Sequence, residues 1–167
     1  MRRKDREVSD VAEILGIIKS CKVCRLGMAE DNLPYVVPLN FGYEYEKGEL
    51  VLYFHGAKEG KKIDVLKKNS RVCFEMDGEH QLTAGANDGA YGFNFASVIG
   101  FGTVEFVEAP DEKVRGLCLL LKHQTGEDRE FSLQEAQVQV TAVWTLRVET
   151  FTGKRRAIPV PGTPPTV

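Results

Sequence analysis

The sequence has none of the features that direct a chain into a membrane or an oxidising compartment. Its N-terminal stretch MRRKDREVSD is polar throughout, so it has no apolar core of a secretory signal. No apolar run approaches the roughly 20 residues that a membrane-spanning helix needs. Only four cysteines occur among 167 residues, and without a secretion signal they do not predict a disulfide framework. We therefore expect a cytoplasmic protein that does not contact membranes.

An excess of positive charge is also missing. Lysine and arginine number 22 against 24 acidic residues, which gives a net charge of −2. This balance argues against a general nucleic-acid binder, which needs a broad basic surface. The hydrophobic content of 43% is typical of a globular protein with a packed core. Length and composition predict a single domain over residues 1–157, followed by a proline-rich tail over residues 158–167.

The motif CKVC at Cys21 and Cys24 raises the question of a metal site. One such pair supplies two ligands, whereas a closed structural zinc site needs four, and the other candidate ligands are scattered. We expect both cysteines on a strand, where an offset of three points them to opposite faces. The sequence therefore predicts small apolar side chains in a core strand and no metal site.

The order of predicted elements indicates an α+β protein. Apolar periodicity and capping signals predict helices over residues 9–20, 58–69 and 110–126, and a short helix opened by Ser132–Glu135. Strands are predicted over residues 21–28, 34–45, 50–55, 71–77, 95–108 and 140–154, with a long glycine-rich loop over residues 78–94. Because hairpins dominate, the sheet should be antiparallel and close into a small barrel. Pro38 cannot donate to a ladder, so it marks an edge or a bulge.

The stretch YFHGAKEGKK, from Tyr53 to Lys62, places positive charge where a helix is predicted to begin. Lysines there oppose the helix dipole, and a bound anion would resolve the conflict. The chain has no GxxxxGK[ST] and no GxGxxG after the strand, so a mononucleotide phosphate fits better than a triphosphate or pyrophosphate. Lys58, Lys61 and Lys62 are three and four apart, so on the predicted helix they would add charge from nearly one face. The alternative is that this face is simply solvated.

His55 ends the predicted strand and also has two interpretations. A lone histidine at a strand end is more often structural. Its functional role would be a polar group beside a ligand ring, able to donate a proton near neutral pH. No serine–histidine–acid arrangement and no carboxylate pair can be argued from spacing.

An ordered set of motifs connects the chain to a known family. The segments CRLGM, PYVVPLNFGYE, LYFHGAKEGKKID, VCFEMD and SVIGFGTVEFVE, in this order and spacing, resemble those of the pyridoxamine 5′-phosphate oxidase-related flavoproteins, in particular the nitroimidazole-resistance (Nim) branch. The resemblance covers roughly Asp5 to Lys154. It implies a mainly antiparallel six-stranded FMN-binding split β-barrel with flanking helices, usually a homodimer with the flavin at the interface.

The resemblance also implies a set of site residues. Backbone groups beside the isoalloxazine would come from Val37, Pro38, Leu39 and Asn40. The ribityl chain would lie beside Phe54, His55, Gly56 and Ala57, with the phosphate at Lys61 and Lys62. The partner subunit's Ser97 and Val98 would approach the ring. Trp144 would either cover the ring or belong to the core, and the histidine that matches His55 is the active residue in Nim proteins.

Three functions follow from this resemblance. The first is an FMN-dependent oxidoreductase that reduces small acceptors such as nitroaromatics, with NAD(P)H as a transient donor. The second is a flavin- or haem-binding carrier or sensor without turnover. The third, pyridoxamine-phosphate oxidase itself, ranks low because Arg155 and Arg156 are followed by the proline-rich tail, where a C-terminal arginine motif is expected. The loop over residues 78–94 also lacks the cysteine that relatives often carry.

Overall fold

The structure is a computed structural model, and it describes residues 3–87 and 89–156. A short 3₁₀ helix, Lys4–Arg6, precedes the regular elements. The helices are α1 (Val11–Ser20), α2 (Lys61–Lys68), α3 (Pro110–Thr125) and α4 (Glu135–Val140). The strands are β1 (Glu7–Val8), β2 (Cys24–Glu30), β3 (Leu33–Leu39), β4 (Gly42–Glu46), β5 (Glu49–Ala57), β6 (Arg71–Thr83), β7 (Gly92–Val107) and β8 (Thr141–Arg156).

The strands form one sheet in the order β3-β2-β6-β7-β8-β5-β4, and β1 pairs with the end of β8. The register is antiparallel in the pairs β1–β8, β2–β3, β2–β6, β4–β5 and β5–β8. The predicted α+β class is therefore confirmed, with eight strands where six were expected. The turn between β4 and β5 uses Lys47 and Gly48, both with positive φ, as a tight hairpin requires.

The chain divides into two compact units. One contains the segment up to Cys21, Asp77–Val98 and the segment from Thr152 onward. Its core includes Ile14, Ile17 and Ile18 of α1. Gly153 approaches α1 closely, since a Cβ atom there would lie 2.8 Å from Ile14 Cγ1.

The second unit contains Lys22–Met76 and Ile99–Phe151. Its largest fully buried side chains are aromatic and aliphatic residues from four strands, from α2 and from the connection before β4: Leu26, Phe41, Leu50, Leu52, Phe54, Ile63, Leu66, Phe74, Met76 and Trp144. Every residue of the candidate site except Ser97 and Val98 belongs to this unit. The domain boundary at residue 157 stays a prediction, and the predicted tail over residues 158–167 lies outside the described residues.

Several predicted strand boundaries are wrong. The strand over residues 34–45 is two strands, because the chain turns at Asn40 and buries Phe41 completely. β6 extends to Thr83 and β7 begins at Gly92, so both strands take up residues that were predicted to lie in the glycine-rich loop. At the start of β7 the buried positions carry Gly92 and Asn94, while Phe93 is exposed. A loop was predicted here because the buried positions carry glycine and a polar residue while the apolar residue is exposed, the reverse of an ordinary strand.

The helix starts also differ from prediction. α1 begins one residue after its cap, Asp10, whose side chain accepts a hydrogen bond from the amide of Ala12. α4 is not opened by a capping box at Ser132, since its N-cap is Gln134 and makes no side-chain cap. Cys21 follows the last residue of α1 rather than lying on a strand, although it is buried as expected. No helix in the described part of the chain is long and apolar enough to span a membrane.

Candidate cofactor-binding site

The end of β5 has one paired edge and one open edge. Its ladder with β8 runs from Val51 to Ala57, whereas its ladder with β4 ends at Tyr53. Residues 54–57 therefore have a strand on one side only within the described chain. In a strand, neighbouring backbone groups alternate between the two edges, so about half of the N–H and C=O groups here face away from β8 and are available to a ligand.

β3 supplies a second open edge. It pairs with β2 from Leu33 to Leu39 and is the last strand in the sheet order. Pro38 lies in this strand, so the prediction that it marks an edge is confirmed. Val37 and Leu39 are half-buried, while Pro38 and Asn40 are exposed. The Asn40 side chain is held in place, since its Nδ2 donates to the carbonyl of Lys22 at 3.1 Å and to Gln124 Oε1 at 3.0 Å.

The N-terminus of α2 follows the end of β5 after a three-residue turn. Gly60 caps the helix with φ of 119°, a conformation that favours glycine. The amides of Ile63 and Asp64 donate to the carbonyl of Gly60. The amides of Lys61 and Lys62 have no acceptor among the described residues, and unsatisfied first-turn amides attract anions.

The side chains of the first two helical residues lie in different places. Lys61 Nζ lies 4.5 Å from the centroid of the Tyr35 ring on β3. Lys62 Nζ lies 5.7 Å from the centroid of the Trp144 ring on β8. A Cβ atom built at Gly56 would lie 3.0 Å from the same Lys62 Nζ. The absence of a side chain at Gly56 lets the Lys62 ammonium group lie close to the β5 backbone.

The prediction that Lys58, Lys61 and Lys62 share one helical face is wrong. Lys58 precedes α2 and lies with Lys67 at a separate cavity. The positive charge near the helix start therefore comes from Lys61 and Lys62. Lys61 lies against β3 at Tyr35, and Lys62 lies against β8 at Trp144 and against β5 at Gly56.

His55 lies on the open-edged part of β5, opposite Val143 of β8. Its side chain is exposed at the surface, yet partial burial lowers the pKa of its imidazole, and the positive charge of Lys62 lowers it further. Both effects favour the neutral ring at physiological pH. A neutral imidazole can donate one hydrogen bond and accept another.

Phe54 and Trp144, two of the predicted site residues, pack against each other next to the open edge of β5. Phe54 stacks on Trp144, with ring centroids 6.0 Å apart and an interplanar angle of 18°. Trp144 is completely buried, and its indole N–H has no hydrogen-bond partner among the described residues. Its contact with a bound flavin stays a prediction.

Ser97 and Val98 lie on β7. Ser97 is half-buried and Val98 is completely buried. Their predicted approach to a flavin held by a partner subunit is not tested by a single chain. No cluster of three or more potential metal ligands occurs among residues 3–87 and 89–156.

The sequence reasoning missed Tyr35 as a member of this site. Its position on an open-edged strand that carries a proline was a usable signal, but nothing local predicts that the Lys61 ammonium group lies over its ring. The polar and apolar residues that border His55 from α3 and α4 were missed as well, because they are distant in sequence.

These observations define a split-barrel protein in which the start of α2, with two lysines, lies beside two open strand edges. The sequence matches the family model described as pyridoxamine 5′-phosphate oxidase over residues 10–155. The chain therefore belongs to the pyridoxamine 5′-phosphate oxidase family, as the sequence resemblance indicated. A search of curated proteins found no match.

Solved structures share the fold. A candidate 5-nitroimidazole antibiotic resistance protein from Bacteroides thetaiotaomicron has a TM-score of 0.77 and 33% identity, covering 89% of this chain and 86% of that one. The flavocytochrome Anf3 from Azotobacter vinelandii has a TM-score of 0.76 and 20% identity, covering 95% and 73%. A FAD and haem binding protein from Mycobacterium smegmatis has a TM-score of 0.73 and 18% identity, covering 97% and 77%.

Proposed function

We propose that the protein binds FMN and transfers electrons to small acceptors such as nitroaromatics. The observation that carries this proposal is the start of α2. There, Lys61 and Lys62 bring two positive charges to backbone amides that have no acceptor, beside the open edge of β5. A phosphate monoester would neutralise both the lysines and the helix dipole.

The rest of the site fits a flavin mononucleotide. The open edges of β3 and β5 offer backbone donors and acceptors for the polar edge of the isoalloxazine and for the ribityl hydroxyls. The flavin would supply the redox chemistry, while the protein supplies binding, orientation and electrostatics. His55, held mostly neutral, would orient the acceptor by a hydrogen bond and, when protonated, would give it a proton.

The proposal includes a homodimer that completes the site. Ile99 and Phe101 lie on the same face of β7 and remain 45% and 52% exposed. Exposed apolar pairs on a central strand are unusual for a monomer and suit a subunit interface. A partner subunit placed there would bring its own β7 toward the flavin.

The reduction of nitroaromatics is supported by the 33% identity to the Bacteroides protein, which is described as a 5-nitroimidazole antibiotic resistance protein. NAD(P)H is the proposed donor, and it would bind transiently because the chain has no nucleotide-binding fingerprint. Turnover with NAD(P)H and a nitroimidazole, followed by the loss of NAD(P)H absorbance, tests this step. Absence of turnover with several reductants would contradict it.

The first experiment is an absorption spectrum of the purified protein, with mass identification of any chromophore released by heat. Flavin bands and released FMN are expected. A Soret band would favour the haem-binding alternative instead. A colourless protein that takes up no added FMN would contradict the proposed ligand.

The location of the site is tested by paired double variants on one helix. Lys61→Ala with Lys62→Ala should weaken FMN binding at least tenfold, because each charged hydrogen bond to a phosphate contributes about 1.5–3 kcal/mol. Lys67→Ala with Lys68→Ala makes the same charge change at the other end of α2 and should change the dissociation constant less than threefold. Equal effects of the two double variants would show that only net charge matters.

A further inference from the structure

We infer that the cavity beside His55 is the acceptor pocket, and that it selects a single-ring compound with an apolar body and one polar substituent. The cavity has a volume of about 230 Å³ and lies where α3, α4 and the paired ends of β5 and β8 meet. The assignment of an acceptor rests on the proposed function. The assignment of a ligand site rests on the cavity itself.

The lining of this cavity is mainly leucine and valine. The apolar residues come from α3, from the segment before α4 and from α4 itself: Leu117, Leu120, Leu121, Leu133 and Val138. Leu120 and Val138 are buried, but Leu117, Leu121 and Leu133 are each only half-buried. A ligand that covers these partly exposed leucines would be stabilised by the apolar surface it removes from water.

Three polar residues complete the lining, and they are not equivalent. The hydroxyl of Thr141 donates to the carbonyl of Gln137 at 2.7 Å, so its hydrogen is already used and only its oxygen can still accept a hydrogen bond. The side-chain amide of Gln137 has no hydrogen-bond partner among the described residues. His55 is the third polar residue. Gln137 and His55 are therefore the two lining side chains that can still donate a hydrogen bond to a ligand, on a wall that is mainly apolar.

The volume limits the size of the ligand. A cavity of about 150 Å³ lined by apolar side chains holds a benzene molecule, and drug-sized ligands occupy about 300–1,000 Å³. A volume of 230 Å³ therefore suits one ring with a few substituent atoms. A nucleotide or a haem is too large for this cavity.

The position of His55 connects the cavity to the proposed flavin site. The same side chain lines the cavity and is influenced by the charge of Lys62, whose ammonium group lies against Gly56. A ring in the cavity would therefore sit next to the segment of β5 that is proposed to hold the cofactor. The acceptor would then lie between His55 and helix α4.

Helix α4 offers a matched pair of valines for the test. Val138 lines the cavity and is 5% exposed, whereas Val140 on the same helix is 70% exposed and lies outside the cavity. The ligands are toluene and 4-methylphenol, and binding is followed by NMR shifts of the His55 ring in the full chain without added flavin. Val138→Trp should weaken binding of both probes at least tenfold, and Val140→Trp should change it less than twofold.

Two further variants separate packing from recognition. Leu121→Phe fills the cavity from a half-buried position, so it keeps the test valid if Val138→Trp does not fold, and it should weaken both probes at least threefold. Gln137→Leu should weaken 4-methylphenol relative to toluene at least threefold. In the flavin-loaded protein, Leu121→Phe should raise KM for the acceptor and leave the FMN dissociation constant unchanged.

The outcomes distinguish the two proposals. Failure of the wild-type protein to take up FMN would overturn the proposed function. Unchanged probe binding in Leu121→Phe, or equal effects of the two valine variants, would overturn the pocket even if FMN binds and turns over. A raised KM with unchanged FMN affinity, together with the loss of probe binding, supports the acceptor pocket.

Discussion

At the scale of single residues, the site depends on which side chains lie near Lys62. Its ammonium group approaches the backbone at Gly56 and the Trp144 ring, and its charge acts on His55. A positive charge so placed attracts an anion and at the same time disfavours a second positive charge on the imidazole. One lysine therefore influences both ligand binding and the protonation of its neighbour.

The first prediction concerns the protonation of His55. Burial and Lys62 lower its pKa in the folded protein, below the ordinary value of about 6.5. Lys62→Gln should raise that pKa toward the ordinary value, and NMR titration of the ring protons measures the shift. Lys61→Gln is the control and should cause a smaller shift, because the Lys61 ammonium group lies over Tyr35. Equal shifts in both variants would contradict the assigned cause.

The same shift has a consequence for stability. As the pH falls below about 6.5, the unfolded chain takes up the His55 proton before the folded chain does. The contribution of His55 to folding therefore becomes unfavourable on the acid side. His55→Gln should reduce the loss of stability between neutral and mildly acidic pH, as measured by thermal melts across that range.

The residue scale also shows what a sequence can predict about a site. The lysines at the start of α2 were found because charge and helix start are local features. The cavity residues Leu121 and Val138 were not found, because only the packing of α3 and α4 brings them to His55. The contact of Lys61 with Tyr35 likewise joins residues 26 positions apart and has no local signature.

At the scale of elements, a partly exposed polar network joins α3 to the β4–β5 hairpin. Arg115 Nη1 donates to Tyr53 Oη at 2.6 Å and to Glu44 Oε1 at 3.1 Å. Arg115 Nη2 and Tyr53 Oη also donate to Glu44. Burial acts to raise the pKa of Glu44, but the hydrogen bonds from Arg115 and Tyr53 outweigh it and lower the pKa.

The second prediction follows from this network. Burial and the Glu44 carboxylate raise the pKa of Tyr53 from 10 to about 12. Between these pH values the unfolded chain loses the Tyr53 proton first, so the stability that this network contributes is lost as the pH rises through that range. Glu44→Gln should lower the pKa of Tyr53, measured as tyrosinate absorbance that is missing in Tyr53→Phe.

The control for this network is Glu46→Gln, which changes an exposed carboxylate on the same strand. It should leave the titration of Tyr53 unchanged. If Glu44→Gln and Glu46→Gln gave the same titration curve, the network would not be the cause of the raised pKa.

The third prediction concerns how closely α3 approaches β4. A Cβ atom at Gly42 would lie 2.4 Å from the backbone nitrogen of Leu120, and a helix backbone cannot move aside locally. Gly42→Ala should therefore destabilise the protein by about 1–3 kcal/mol through overpacking. Gly16→Ala makes the same change in α1, where nothing lies within 4 Å, and should stabilise by about 0.5–1 kcal/mol. Chemical denaturation of both variants measures whether the free energy of unfolding falls for Gly42→Ala and rises for Gly16→Ala.

Elements also show where prediction from the sequence fails. The helix over residues 110–126 was predicted within one residue, because proline marks its start and Gly126 its end. The buried face of this helix was harder to predict, because α3 buries Gly116 and Leu120 and leaves the apolar Val114 exposed. Strand β7 places apolar residues outward, so its pattern does not reveal which face is covered by the rest of the chain.

At the scale of the whole molecule, the fold class was predictable because it depends on the order of helices and hairpins. Strand order was not, since β2 pairs with β6 and β5 pairs with β8 across long stretches of sequence. Such pairings depend on the packing of all elements together. The family resemblance supplied the split barrel that local patterns could not specify.

The fourth prediction concerns the proposed dimer. Phe101→Glu would place a charge in the proposed interface and should convert the dimer to a monomer in analytical ultracentrifugation. Because the proposed site includes a partner subunit, FMN affinity should fall as well. Val140→Glu introduces the same charge at an exposed valine of α4 and should change neither property. A wild-type protein that sediments as a monomer with bound FMN would contradict the dimer.

The open edge of β5 over residues 54–57 has a consequence for the protein before it meets a ligand. An unpaired strand edge is a template on which another extended chain can add, and such edges promote aggregation. The turn that follows carries Lys58, and α2 opens with Lys61 and Lys62, so two copies of this segment repel each other as they approach. The lysines that would attract a phosphate would thus also oppose edge-to-edge aggregation of β5, and a cofactor bound at this edge would cover backbone groups with which another chain could pair.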